Sequence, residues 1–124
     1  MPVSPLPVFE DAGLAAQLPH LADDELAALP YGVVEMNLAG EVLRYNATEA
    51  RYSALPRERV VGRHVFRDVA PCSNNRHVAG RYEQAALDET LAYTFALRMK
   101  AVAVTLRLLK PAGGTRMFLL VRWA

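Results

Sequence analysis

Three side chains in this 124-residue chain carry chemistry that fits together: the phenol of Tyr45, the carboxyl of Glu49 and the thiol of Cys72, the one cysteine. In one apolar pocket the thiol could hold a group covalently, while the phenol and a protonated carboxyl donated hydrogen bonds to an anionic oxygen. Tyr45 and Glu49 stand about one helical turn apart, so both can reach the same pocket wall. A tyrosine and a neutral carboxylic acid share this task in ketosteroid isomerase, where an apolar site keeps the carboxyl protonated. Cys72 follows Pro71 and precedes Ser73-Asn74-Asn75, which places it near a predicted helix N-terminus, where the local field favours the nucleophilic thiolate. Each residue also has a plainer reading. A free cysteine commonly behaves as a small buried hydrophobe. Asn46-Ala47-Thr48-Glu49 has capping-box spacing, in which Glu49 only reaches back to the start of a helix.

Little else in the chain has the spacing of a reactive site. His20, His64 and His77 are scattered and have no partner at ligand spacing, so they read as ordinary polar residues and no metal is expected. Arg51, Arg57 and Arg59 either shield a buried anion or simply lie solvated. No glycine-rich phosphate loop, nucleophile elbow or paired-acid context occurs, so no catalytic residue is assigned and no enzymatic activity is expected. The 14 Lys+Arg and 13 Asp+Glu leave a net charge of +1 without a basic run, which argues against a nucleic-acid partner. No stretch approaches the roughly 18 to 20 consecutive apolar residues of a membrane span, and the N-terminus lacks a basic region leading into an apolar one. A single cysteine forms no internal disulfide. The expectation is a soluble, cytoplasmic, metal-free chain.

The elements that must position these residues follow from periodicity, and the length suits one domain. Residues 1–30, with Pro2, Pro5 and Pro7, read as a loosely attached N-terminal cap with short helices over 9–18 and 22–29. Asp23 and Asp24 suit the positive end of the second helix. The main domain, 31–124, opens with a period-two hairpin: Val33, Glu35 and Leu38, a turn at Ala39-Gly40, then Val42, Leu43 and Tyr45. Asn46 caps a short helix through Ser53, and 57–62 makes another turn ending at Gly62. Residues 78–87 have the spacing of an amphipathic helix. Tyr93, Phe95, Leu97 and Met99 alternate as a strand, 102–109 forms another, and 117–123 closes the chain after Pro111-Ala112-Gly113-Gly114. Five strands, with helices between the first two and the last three, make an α+β fold.

The runs Leu43-Arg44-Tyr45-Asn46-Ala47-Thr48-Glu49 and Val60-Val61-Gly62-Arg63-His64-Val65-Phe66-Arg67-Asp68-Val69-Ala70-Pro71-Cys72 resemble those of the photoactive yellow proteins, PAS-fold blue-light receptors. Tyr93-Thr94-Phe95 and the closing strand are similar as well, and the resemblance extends from about Tyr31 to the end. A PAS fold alone hosts many functions; the Asp-Val-Ala-Pro-Cys run is much more specific.

The resemblance implies a five-stranded antiparallel PAS sheet with flanking short helices. It also implies p-coumaric acid (4-hydroxycinnamic acid) held as a thioester on Cys72, with its phenolate bonded by Tyr45 and Glu49. Ser53 would support Tyr45, and Phe66, Phe95 and Met99 complete the expected chromophore-binding set. Light would isomerise the chromophore double bond, Glu49 would pass its proton to the phenolate, and the N-terminal cap would loosen. The implied partners are the chromophore and a downstream signalling protein, with the chain a monomer or weak dimer. The chain departs from the family pattern at Leu55, where an arginine is frequent, at Ala50 for glycine and at Leu97 for tyrosine. The stretch between Cys72 and Tyr93 is a few residues shorter. The competing readings are a chromophore-free PAS module that binds a ligand or another protein, and an enzyme or redox sensor using Cys72 as a free nucleophile.

Overall fold

Period-two alternation does build the sheet in the computed structural model, which describes residues 6–97 and 99–123. Strands β1 (Gly32–Asn37), β2 (Val42–Tyr45), β3 (Leu87–Leu97), β4 (Lys100–Lys110) and β5 (Arg116–Trp123) form one antiparallel sheet in the order β2-β1-β5-β4-β3. The first and last strands are therefore neighbours, running from Gly32 opposite Val121 to Asn37 opposite Arg116. That pairing carries the end of β5 next to the start of β1.

Successive side chains point to opposite faces of a strand, and both faces are covered. On one, Val34, Met36, Leu106, Leu119 and Val121 pack with Val60, Val65, Phe66 and Tyr82 from the connection between β2 and β3. On the other, Val33, Leu109, Phe118 and Leu120 pack with Tyr31 and with Phe9, Leu14, Leu18, Leu26 and Leu29 of the N-terminal segment. That segment holds α1 (Leu14–Gln17), a 3₁₀ turn (Leu18–His20) and α2 (Asp23–Ala28). The first helix begins at Leu14 rather than at residue 9, because 9–13 form turns in which Asp11 Oδ1 accepts the Gly13 N–H at 2.8 Å. In α2, Glu25 Oε1 accepts the Ala22 N–H at 2.8 Å, satisfying one open donor at the helix start.

The predicted loose attachment of this segment is corrected by the structure, because two arginines of the sheet hold its backbone. Arg44 on β2 donates to the Leu21 and Leu18 carbonyls at 2.6 and 2.8 Å, and Arg107 on β4 donates to those of Phe9 and Asp11 at 2.8 and 2.7 Å. Tyr31 Oη adds a bond to the Pro7 carbonyl at 2.7 Å. Each arginine also meets a carboxylate: Arg107 pairs with Asp88, and Arg44 with Glu35, which is fully buried and also bonded by Arg116. A buried carboxylate persists only when paired in this way. Pro2 and Pro5 lie outside the described residues.

The connection between β2 and β3 is made of α3 (Ala47–Ser53) and short turns: 3₁₀ turns at Arg57–Arg59, Pro71–Ser73 and Ala79–Glu83, and a π-helical turn at Val65–Val69. His64 Nδ1 caps the π turn by accepting the Phe66 and Arg67 N–H groups at 3.1 and 3.2 Å. Gly40 makes room for that ring. Its φ is +88°, and a Cβ there would lie 2.7 Å from His64 Nε2. The helix predicted over 78–87 is a correction as well. Val78, Tyr82 and Leu87 are all buried, but a single 3₁₀ turn and an early entry into β3 place them on the core. The strand begins six positions before Tyr93, with Asp88 and Glu89 on the ladder opposite Leu109 and Leu108. Among the described residues no helix is long and apolar enough to cross a membrane.

Candidate functional site

Between α3, the turns around Cys72 and the inner face of the sheet lies an apolar cavity of about 110 Å³. Tyr45, Glu49, Ser53, Cys72 and Phe95 all line it, together with Leu55, Leu97 and Trp123. Of the residues assigned from sequence, Phe66 and Met99 are not among its lining. Phe66 packs instead into the main core, with its ring 5.5 Å from that of Tyr82. Met99 sits at the β3–β4 hairpin tip with φ +67°, and its side chain is fully exposed.

Local sequence explains how Tyr45 and Glu49 meet. Tyr45 ends β2, and Asn46 starts α3 by accepting the Glu49 N–H at 3.0 Å. The same Oδ1 accepts the Val33 N–H at 2.9 Å, and Nδ2 donates to the carbonyls of Leu26 and Tyr31 at 2.9 and 3.0 Å. Only half of a capping box forms. The Asn46 N–H is taken by the Val33 carbonyl at 3.1 Å, so the Glu49 carboxyl is released from the helix start and turns to the cavity. At the other end of α3, the Tyr45 and Ser53 hydroxyls lie 2.5 Å apart. Ala54, at φ +60°, reverses the chain, and Leu55 joins the cavity wall.

The two acids differ in what their surroundings do to them. Burial pushes the Tyr45 phenol up to about 12; the Ser53 bond opposes this and the Glu49 charge adds to it. Burial pushes the Glu49 carboxyl from 4.5 up to about 7, against the opposing hydrogen bond from Trp123. Near neutral pH the phenol therefore keeps its proton, while the carboxyl is poised to lose one. The carboxyl also fixes its neighbour in β1. A Cβ on Gly32 would stand 1.9 Å from Glu49 Oε1, so Gly32→Ala is expected to push the carboxyl out of place. It should cost about 1–3 kcal/mol in chemical unfolding; an unchanged midpoint would show that Glu49 moves freely.

Cys72 is half-buried. It lies inside the 3₁₀ turn Pro71–Ser73, followed by irregular chain, so the predicted helix N-terminus beside it is absent. Its backbone is fixed: Tyr93 Oη donates to the Cys72 carbonyl at 2.6 Å, and Asn75 Nδ2 reaches that hydroxyl and that carbonyl at 2.7 and 3.3 Å. Asn75 Oδ1 accepts the His77 and Val78 N–H groups, a side-chain turn where a helix cap is predicted. Arg51, Arg57 and Arg59 lie exposed outside the cavity lining. Trp123, whose indole N–H meets Glu49 at 2.8 Å, has no counterpart in the sequence reading. Its position at the end of β5 is local, and only the β1–β5 pairing reveals its distant partner.

No family model matches the sequence. The chain is 31% identical over 106 residues to the photoactive yellow protein of Halochromatium salexigens, covering 82% of this chain and 85% of that protein. It is 24% identical to the photoactive yellow protein of Rhodothalassium salexigens over the same shares. Among solved structures, the photoactive yellow protein domain of the sensor histidine kinase Ppr from Rhodospirillum centenum matches with a TM-score of 0.80 and 32% identity, over 86% of this chain and 97% of that one. A PAS domain of an HTR-like protein from Haloarcula marismortui, with a TM-score of 0.61 and 13% identity over 89% and 96% of the two chains, shares the fold. With this identity sustained over more than four-fifths of both sequences and the PAS fold shared with solved structures, the chain belongs to the photoactive yellow protein family.

Proposed function

We propose that this domain is a blue-light photoreceptor that carries a p-coumaroyl (4-hydroxycinnamoyl) group as a thioester on Cys72. The observation that supports this reading most directly is the convergence of Cys72, Tyr45, Glu49 and Ser53 on one apolar cavity. One water needs roughly 10–15 Å³ by the same measure, so the cavity has room for a group of several heavy atoms, and its largely apolar walls suit an aromatic ring. When bound, the group supplies visible absorption, a phenolate and a double bond that light can isomerise.

The chain's own residues supply the rest. Cys72 Sγ provides the acyl attachment point, and the clamp from Tyr93 and Asn75 fixes the direction it points from. Tyr45, with its proton held firmly, is a permanent donor to an anionic oxygen in the cavity, and Ser53 orients it. Glu49 is the donor that can also release its proton, because its carboxyl titrates near neutral pH. Phe95, Leu55 and Leu97 exclude water, which strengthens every hydrogen bond inside. Once Glu49 is ionised, a charge remains beneath α3 that is expensive to keep buried, and this drives the change read by a downstream signalling protein. Because the N-terminal cap is pinned to the opposite face of the sheet, the change begins at α3 and the turns around Cys72.

The test is to mix the purified apoprotein with activated p-coumaric acid and record its visible spectrum, with Cys72→Ser as the control. The expected result is a red-shifted band that bleaches under blue light and is lost completely in the variant. A colourless wild-type protein with its thiol still titratable would instead identify a chromophore-free PAS module.

A further inference from the structure

Glu49 is held from a direction that the proposed photochemistry does not use. Trp123 Nε1 donates to its Oε1 at 2.8 Å, a contact between residues 74 positions apart. Among the described residues no hydrogen bond reaches Oε2, and no fully buried side-chain oxygen lacks a partner. Oε2 therefore faces open space, which for this residue is the cavity it lines. The indole is itself fixed. Its ring is stacked on Tyr52 of α3, with centroids 5.6 Å apart and planes 10° apart, and it tilts against Phe95 of the cavity wall at 5.6 Å. Tyr52 is 48% exposed, so the stack runs from the cavity to the surface between α3 and β5.

An indole nitrogen is a donor only. Its bond to Oε1 therefore survives whether the carboxyl is protonated or ionised, and it strengthens when the acceptor becomes charged. We infer that Trp123 is the positioning residue of Glu49: it grips Oε1, leaves Oε2 turned to the cavity in both protonation states, and eases departure of the site proton by stabilising the carboxylate left behind. The inference deepens the photoreceptor reading, but its test does not depend on pigment. The other titratable groups facing the cavity are Tyr45 from β2 and Cys72 from its turn; β1, β3 and β5 present Val34, Phe95, Leu97, Leu119 and Trp123 there, none of which titrates, and Gly32 of β1 backs the carboxyl. Arg51, on the same helix as Glu49, is exposed.

The experiment uses apoprotein carrying ¹³C-labelled glutamate, so that the Glu49 carboxyl carbon is followed directly through a pH titration. Alongside it, the fluorescence of the chain's single tryptophan is recorded. Wild-type fluorescence should inflect at the pH where the Glu49 carbon titrates, and Glu49→Gln should abolish the inflection. Trp123→Phe should move the Glu49 midpoint upward by roughly one pH unit or more, the scale set by losing a hydrogen bond to a charged group. A merely structural indole would change stability and leave that midpoint in place, which would overturn the inference. Fluorescence that ignores Glu49→Gln would overturn it too, even if Trp123→Phe failed to fold. Failure of the apoprotein to take up p-coumaroyl while these shifts are seen would count against the photoreceptor reading alone.

Discussion

Asn46→Ala is expected to destabilise the domain by about 3–5 kcal/mol, a large part of the roughly 5–15 kcal/mol that holds a domain folded. The amide uses its full hydrogen-bonding capacity, accepting from Val33 and Glu49 and donating to Leu26 and Tyr31. Alanine removes a helix cap, worth about 1 kcal/mol, and strips partners from buried backbone groups, each costing about 1–3 kcal/mol when nothing replaces them. These partners belong to α2, to β1 and the residue leading into it, and to α3, so the loss separates three elements at once. Asn46→Asp keeps both acceptor bonds and loses both donors, and should fall between alanine and wild type. Urea denaturation of the three proteins decides the matter: a loss under about 1 kcal/mol for alanine would mean that water replaces the amide and that the junction is looser than its geometry.

The second large effect is a dependence of stability on pH that belongs to one residue. Burial raises the Glu49 carboxyl from 4.5 to about 7 in the folded chain, so between those values the folded state binds the proton and the unfolded state does not. Stability is then fully present below about pH 4.5, falls as pH rises, and levels off above about pH 7, with a total loss on the order of 3 kcal/mol. Glu49→Gln cannot ionise. The stability difference between wild type and this variant should therefore shift in favour of glutamine by that amount across the window, while contributions from all other groups cancel. Denaturation curves at a series of pH values measure it directly, and a difference that stays level from about pH 4.5 to 7.5 would show that the carboxyl is better solvated than its burial implies.

How much of this could be read from sequence depended on how local each interaction was. Asn46 as a cap, the hairpin around Gly40 and the strand alternation from Tyr93 are set by neighbours in the chain, and they were legible. The choice between a capping Glu49 and a cavity-facing one was not, because the Val33 carbonyl decides it by taking the Asn46 N–H. Val78, Tyr82 and Leu87 illustrate a different limit: the four-residue spacing of the first two suits a helix face, yet a short turn running into a strand buries all three side chains. Met99 shows the limit of residue type, since an apolar side chain at a hairpin tip points wherever its positive φ sends it. Arg44 and Arg107 drew no notice in the sequence, because only the folded chain shows them reaching backbone carbonyls some 23 to 98 positions away.

The π turn before Cys72 makes the length of that stretch as informative as its composition. Val69 and Ala70 donate to the carbonyls of His64 and Val65, five positions back, at 3.2 and 2.7 Å, so the turn holds one residue more than an α-helical turn would. Deleting one residue there would be absorbed locally by closing an ordinary α-helical turn, whereas adding one would leave no regular turn to take it up and would displace Cys72 from the cavity lining. The chain from Asn74 to Ala86, which holds a single 3₁₀ turn, is constrained differently, by the Asn75 bond to the Cys72 carbonyl and by Val78 and Tyr82 in the core. A change of length just before the cysteine is therefore judged by its sign, a loss being tolerated where a gain is not.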